Sequence, residues 1–251
     1  MEKDALHLWF AYPDDLLDEQ AADACAGVLS ARERERWQRF KFDRHRREYL
    51  ATHALARNAL SHYQALPPER LHFSTNKYGK LAIAPPCNLH FNLSNSLGLV
   101  VCLIAEGAEV GVDIESHERA DTIAEVGPTM FSPQELAQLD SLTGAAKAER
   151  CLRLWTLKEA YIKARGMGLA LPLDKFSFLF SEKGEIRLQI DSTLQDNADR
   201  WRFCVLDHAG HAIALMIENR TIPGLQLCEA RPPFAAPEQF NSFNQVWNSG
   251  S

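Results

Sequence analysis

The alternation Val110-Gly111-Val112-Asp113-Ile114-Glu115 puts two carboxylates on one face of a period-two strand and apolar side chains on the other. Asp113 and Glu115 then point the same way and repel each other unless a cation lies between them. Paired carboxylate oxygens suit a hard ion such as Mg²⁺, which keeps several of its waters and recruits substrate phosphates. Such pairs also occur on ordinary solvated strand faces, so this one gains meaning only with other residues.

Those residues come from Leu154 to Ala164, LWTLKEAYIKA. On a helix, Leu154, Leu157, Tyr161 and Ala164 form one apolar stripe, while Glu159 and Lys163, one turn apart, share a second face with Leu152 and Trp155. An exposed Glu–Lys pair at this spacing contributes only about 0.3–0.5 kcal/mol and is a routine helix stabiliser. A carboxylate desolvated beside an aromatic ring has a raised pKa and can serve as a base, with the ammonium one turn away placed for developing negative charge.

Other segments offer less. Tyr78-Gly79-Lys80 combines a permissive glycine with a lysine in a turn, which fits a phosphate contact and equally fits common turn chemistry. Asn92-Leu93-Ser94-Asn95-Ser96 at a strand end offers hydroxyl and amide donors to an oxyanion. Gly166-Met167-Gly168 follows a helix instead of opening one, so it reads as a helix stop and not as a dinucleotide fingerprint. His208 and His211 lack an HExxH context and read as strand or turn residues.

The elements that must position these groups read as a mixed α/β chain. A strand opens at Leu6–Tyr12, and a helix runs from about Ala31 to Ala65 before Pro67-Pro68. Strand-like runs follow at 72–75, 90–94, 97–105 and 109–115. The second half has a helix opening at Ser132-Pro133 with Glu135 in its first turn, a longer helix from about Ala146 to Arg165, and the strand candidates FSFLF, IRLQI, WRFCVLD and AIALMIE. The expected division is a first α/β half over 1–108, a second over 109–228 carrying the acidic motifs, and an irregular tail over 229–251.

At 251 residues, 46% hydrophobic and 24% charged, the chain is an ordinary globular protein, not a disordered or fibrous one. Six widely spaced cysteines with no CxxC pair read as small buried hydrophobes of a reducing cytosol. No secretory signal opens the chain and no apolar run spans a bilayer, so the expectation is cytoplasmic, without membrane contact. The net charge of -6 hides a local excess: residues 32–57 hold eight Arg and one Lys against four acidic residues, or +5, leaving -11 elsewhere. A salt-bridged helix face accounts for such a segment, and so does a local anionic ligand.

Taken in order, these pieces resemble the larger, Sfp-type subclass of the 4′-phosphopantetheinyl transferases. GVDIE at 111–115 and WTLKEAYIKARGMGL at 155–169 look like the two main motifs of that family. ARERERWQRF at 31–40, FSTNKYGK at 73–80, NLS at 92–94 and FSPQE at 131–135 are similar to its flanking segments. The resemblance covers about residues 6–217. It implies two similar α/β halves in a pseudo-twofold arrangement, a monomer, coenzyme A bound in the cleft between the halves, and a requirement for Mg²⁺. The implied reaction moves the phosphopantetheine arm onto a serine of an apo carrier protein, be it acyl, peptidyl or aryl, and releases adenosine 3′,5′-bisphosphate.

Residue by residue, the resemblance implies Asp113, Glu115 and Glu159 as metal ligands, Glu159 also as the base for the serine hydroxyl, and Lys163 beside the pyrophosphate, with Lys158 adjoining. It places Glu135 next to the metal site. Arg36 falls where the family has a basic residue for the 3′-phosphate, and Gly79, Lys80, Ser94 and Asn95 fall at coenzyme A contacts. Two positions depart from the pattern: Asn95 stands where many relatives have His, and Glu33 where a second phosphate-binding lysine is common. Two other functions remain open to the sequence. One is a non-catalytic polyanion or nucleic-acid adaptor using the Arg-rich helix 32–57, with steeply salt-dependent binding. The other is a Mg²⁺-dependent nucleotide hydrolase, against which the missing P-loop counts.

Overall fold

The computed structural model describes residues 5–218, 224–234, 241–243 and 248–249. In chain order, strand β1 (Ala5–Ala11) precedes helices α1 (Glu19–Gly27), α2 (Ala31–Gln38) and α3 (Asp43–Gln64). Strands β2 (His72–Thr75), β3 (Leu81–Ala84), β4 (Leu89–Ser96), β5 (Leu99–Glu106) and β6 (Val110–Ser116) follow. Next are α4 (Ala120–Val126), α5 (Pro133–Leu139) and α6 (Gly144–Arg165). The remaining strands are β7 (Phe176–Phe180), β8 (Ile186–Ile190), β9 (Trp201–His208), β10 (His211–Glu218), β11 (Gly224–Glu229), β12 (Asn241–Phe243) and β13 (Asn248–Ser249). The chain is thus mixed α/β. Among the described residues no helix is long and apolar enough to cross a membrane.

Two compact units result, one comprising Met1–Thr75, Leu81–Gly107 and Gly224–Asn244, the other Asn76–Lys80, Ala108–Pro223 and Gln245–Ser251. The first is built on a five-stranded sheet in the order β12-β11-β1-β5-β4, with β11 parallel to β1 and Trp9 opposite Cys228. Its core gathers Trp9, Val100, Cys102 and Ile104 from the sheet with Leu50, Leu55 and Leu60 from α3. The second holds a four-stranded sheet, β13-β9-β10-β6, whose Phe203, Ala214 and Met216 share a core with Leu154, Leu157 and Tyr161 of α6.

Four expectations change. The helix expected over Ala31–Ala65 is two helices: the Arg39 amide closes α2 on the Arg36 and Trp37 carbonyls, and Phe42 at φ -102° and ψ 128° starts α3 afresh. No glycine or proline marks this bend, which brings the Phe40 ring to 5.2 Å from that of Tyr49. The apolar run Leu97–Ala105 begins with a turn, since Leu97 (φ 30°) and Gly98 (φ 87°) both adopt the left-handed backbone of a tight hairpin joining β4 to β5. Chain after 223 returns to the first unit as β11, so the second half does not extend to 228; most of the tail expected after 229 lies outside the described residues. Five cysteines are buried, but Cys87 is exposed.

Candidate active site

Strand β6 is the edge of its sheet among the described residues, and α6 lies directly on it. A Cβ on Gly111 would meet the Ala160 carbonyl oxygen at 2.0 Å and the Ala164 amide nitrogen at 2.5 Å, so only glycine permits this approach. Because Gly111, Asp113 and Glu115 alternate on one face, the approach also fixes where both carboxylates point: toward α6. Their cross-strand neighbours on β10 are the alanines Ala214 and Ala212, which leave room for them.

From the helix, Lys163 meets them. Its Nζ donates to Asp113 Oδ1 at 2.7 Å, with Asp113 nearly buried and Lys163 about a quarter exposed. Glu159, half-buried one turn earlier, has its carboxyl pushed above the usual range, first by burial and then by the negative charge of Asp113 and, to a lesser degree, Glu115; Lys163 opposes this. Glu115 accepts from a residue that the sequence reading missed: Nη1 of Arg119 sits 2.9 Å from Oε1 and 2.7 Å from Oε2. Only the four-residue offset from Glu115 across a strand end hinted at it. The structure therefore gathers Asp113, Glu115, Glu159 and Lys163 in one place.

The C-terminal end of α6 is anchored on two sides. Gly166 ends the helix at φ 60°, where a Cβ would strike Lys80 Cδ at 2.8 Å. Asn76 donates to the Gly166 carbonyl, and Lys80 Nζ donates to Glu109 Oε2 (2.6 Å), Ala164 O (2.8 Å) and Val110 O (3.1 Å). Buried Asp196 accepts from Tyr161, Arg165, Arg200 and Trp201, so the helical residues on either side of Lys163 are tied down. Burial would raise the Asp196 carboxyl, but these hydrogen bonds outweigh it and hold the group below its usual range.

Three residues expected at the ligand do structural work instead. Lys80, expected on a coenzyme phosphate, has all three ammonium hydrogens engaged as just described, and burial lowers its pKa. Lys158 is 1% exposed and donates to Glu135 Oε2 (2.7 Å) and the Phe176 carbonyl (2.8 Å), which withdraws it from any ligand. Glu135, expected beside the metal, is fully buried and accepts from the Ser132 and Phe178 amides, joining α5, α6 and β7. Gly79 occupies the open turn between Asn76 and Lys80 at φ 92°.

The first unit carries a separate open cavity of about 320 Å³, lined by Arg36, Phe40, His45, Glu48, Tyr49, Thr52, His53 and Asn95. Arg36 and Asn95, both expected at the coenzyme, thus share one pocket, while Ser94 beside Asn95 is buried. The histidines were missed, although His45, Tyr49 and His53 recur every four residues on one helix face, the signal that could have found them. Glu33, standing where a lysine was looked for, accepts from Arg57, His53 and Ser30. Burial alone would raise its carboxyl, yet these bonds bring it down to about 2.

One further cluster lies apart from the candidate site: His117, Glu149 and Asp207 offer ligand atoms within 4.8 Å of one another. Both ring nitrogens of His117 already face carboxylates at 3.1 Å, and Arg153 bridges Glu149 and Asp207 at 2.6 and 2.8 Å. Arg153 thus completes an ion-pair network around His117. His208 and His211 flank the turn between β9 and β10.

The sequence pattern of the 4′-phosphopantetheinyl transferase superfamily matches residues 109–216, which span the strand and helix just described. A 4′-phosphopantetheinyl transferase of Bacillus subtilis is 32% identical over 187 residues, 74% of this chain and 81% of that protein. The chain belongs to the 4′-phosphopantetheinyl transferase superfamily. The 4′-phosphopantetheinyl transferase HetI of Nostoc sp. is 34% identical over 170 residues (66% and 71% of the two chains), and a phosphopantetheinyl transferase of Thraustochytrium sp. is 29% identical over 209 residues (78% and 72%). The similarity to an Sfp transferase of Bacillus subtilis, 30% identical over 187 residues, marks this chain as an Sfp-type transferase. It is an enzyme, and in this transferase a Cβ at Gly111 would strike the backbone of α6 and one at Gly166 the side chain of Lys80.

Proposed function

We propose that this transferase moves the 4′-phosphopantetheine arm of coenzyme A onto the serine hydroxyl of an apo carrier protein in a Mg²⁺-dependent reaction that releases adenosine 3′,5′-bisphosphate. The observation that carries this reading is the meeting of Asp113 and Glu115 on β6 with Glu159 and Lys163 on α6. Three carboxylates on facing elements make an all-oxygen donor set that fits a hard divalent ion, and such an ion would offset the Asp113 and Glu115 charge that, after burial, raises Glu159. Asp113, Glu115 and Glu159 would hold the ion, which when bound neutralises pyrophosphate charge and polarises the phosphoryl group.

The protein's own groups do the rest. Glu159, its carboxyl raised above the usual range by burial and by the neighbouring carboxylates, accepts the serine proton directly or through one water. Lys163 presents an ammonium to the bridging oxygen, where negative charge grows as the phosphorus–oxygen bond breaks. In the first unit, Arg36 supplies a guanidinium to the 3′-phosphate of coenzyme A, with Asn95 and the neighbouring histidines as further polar partners.

The test is the intact mass of apo carriers of fatty acid, polyketide and peptide synthesis, each incubated with the enzyme, coenzyme A and Mg²⁺. A gain of about 340 Da, absent with EDTA, is expected from the phosphoryl-transfer chemistry. No gain on any carrier, or the same gain with EDTA, would overturn the reading.

A further inference from the structure

Both strand carboxylates of the acidic centre are held by cations of the protein itself. Lys163 Nζ lies 2.7 Å from Asp113, and Arg119 Nη1 lies 2.9 and 2.7 Å from the two oxygens of Glu115. In the second, a single nitrogen reaches both carboxylate oxygens, the seat that a cation bound bidentately by Glu115 would take. Arg119 reaches it from the turn His117–Arg119 that leaves β6, and its side chain is 43% exposed against 10% for Glu115.

From this geometry we infer that Arg119 is a resident counter-cation which a divalent ion must displace from Glu115, and which thereby sets the metal affinity of the centre. The inference rests on the proposed reading of Asp113, Glu115 and Glu159 as metal ligands. Lys163 and Arg119 each offset the charge of one strand carboxylate. Entry of a divalent ion at Glu115 requires the guanidinium to give up one or both oxygens. Its exposure allows that: a long side chain already near water can swing out at little desolvation cost, whereas a buried one could not. The released guanidinium then remains beside the centre as a mobile positive charge for a phosphate oxygen. Arg119 is in this sense a positioning and affinity-setting residue for the centre.

Mn²⁺ binding, followed by loss of the free-ion electron paramagnetic resonance signal, tests this without turnover. The proteins are wild type, Arg119→Ala, Arg119→Gln and, as the site control, Asp113→Ala, each checked for folding by circular dichroism. Mn²⁺ retained by Asp113→Ala belongs to other positions, such as the His117 cluster, and is subtracted. Both Arg119 variants are expected to bind the Asp113-dependent Mn²⁺ roughly two- to fivefold more tightly, the range set by a partly exposed ion pair. Unchanged or weaker binding in both, with Asp113-dependent binding intact in wild type, would overturn the role of Arg119 alone. Absence of any Asp113-dependent binding in wild type would overturn the metal reading and this inference with it.

Discussion

A Cβ atom on Gly111 would lie 2.0 Å from the carbonyl oxygen of Ala160. Strand and helix are therefore as close as their backbones allow, and this contact sets the distance from the β6 carboxylates to Glu159 and Lys163. Gly111→Ala is expected to cost at least about 3 kcal/mol, because the obstacle is backbone and cannot rotate away. Urea denaturation measures the stability; a midpoint within error of wild type would show that α6 is free to shift.

Glu159→Gln removes the proposed base. Turnover is expected to fall by about 10²- to 10⁴-fold. In wild type the rate should drop as pH falls and Glu159 takes up a proton, an acid limb that the residual rate of the variant should lack. Stability runs the other way. A carboxyl whose folded-state pKa is raised binds its proton more tightly when folded, so its ionisation destabilises the fold as pH rises through that value. The variant is expected to melt higher than metal-free wild type at neutral pH; retained turnover with an unchanged pH profile would remove Glu159 from the base role.

Arg36→Ala tests the pocket of the first unit. Loss of one charge-assisted hydrogen bond to a phosphate should raise KM for coenzyme A by about tenfold or more. Dephospho-coenzyme A, which lacks the 3′-phosphate, should be used equally by variant and wild type. An equal rise in KM for both donors would place Arg36 elsewhere on the ligand.

Lys158 separates structural from ligand-binding roles. Because its ammonium is 1% exposed and paired with fully buried Glu135, Lys158→Met should cost about 3–5 kcal/mol by leaving a buried carboxylate unpaired. KM for coenzyme A in the folded variant should stay within about twofold of wild type, since no direct contact of ~1 kcal/mol or more is lost. A tenfold rise in KM with unchanged stability would return Lys158 to the coenzyme.

The parts of this site that were legible in the sequence are those written in local periodicity. GVDIE shows its two faces because strand alternation is a property of neighbouring residues, and Glu159 and Lys163 show theirs because they lie one helical turn apart. The roles of Lys80, Lys158 and Glu135 were not legible. Lys80 bonds Ala164, 84 residues away, and Lys158 bonds Glu135, 23 residues away. Spacing within a motif says nothing about such partners, so a lysine that seals a helix end looks like one that grips a phosphate. The bend between α2 and α3 was hidden for a similar reason: no breaker marks it, and packing of Phe40 near Tyr49 accompanies it. Leu97-Gly98 misled in the opposite sense, since an apolar residue took a left-handed turn position that composition assigns to a strand.

The most direct measurement of the central claim is the rate of carrier modification against Mg²⁺ concentration for wild type and Asp113→Ala, with circular dichroism to verify folding. Wild type should show saturable dependence on Mg²⁺, and Asp113→Ala should remain folded and lose turnover at every concentration, as expected when a ligand of the catalytic ion is removed. Wild-type turnover and metal dependence in Asp113→Ala would contradict the assignment of the β6–α6 centre as the place where phosphopantetheine is transferred.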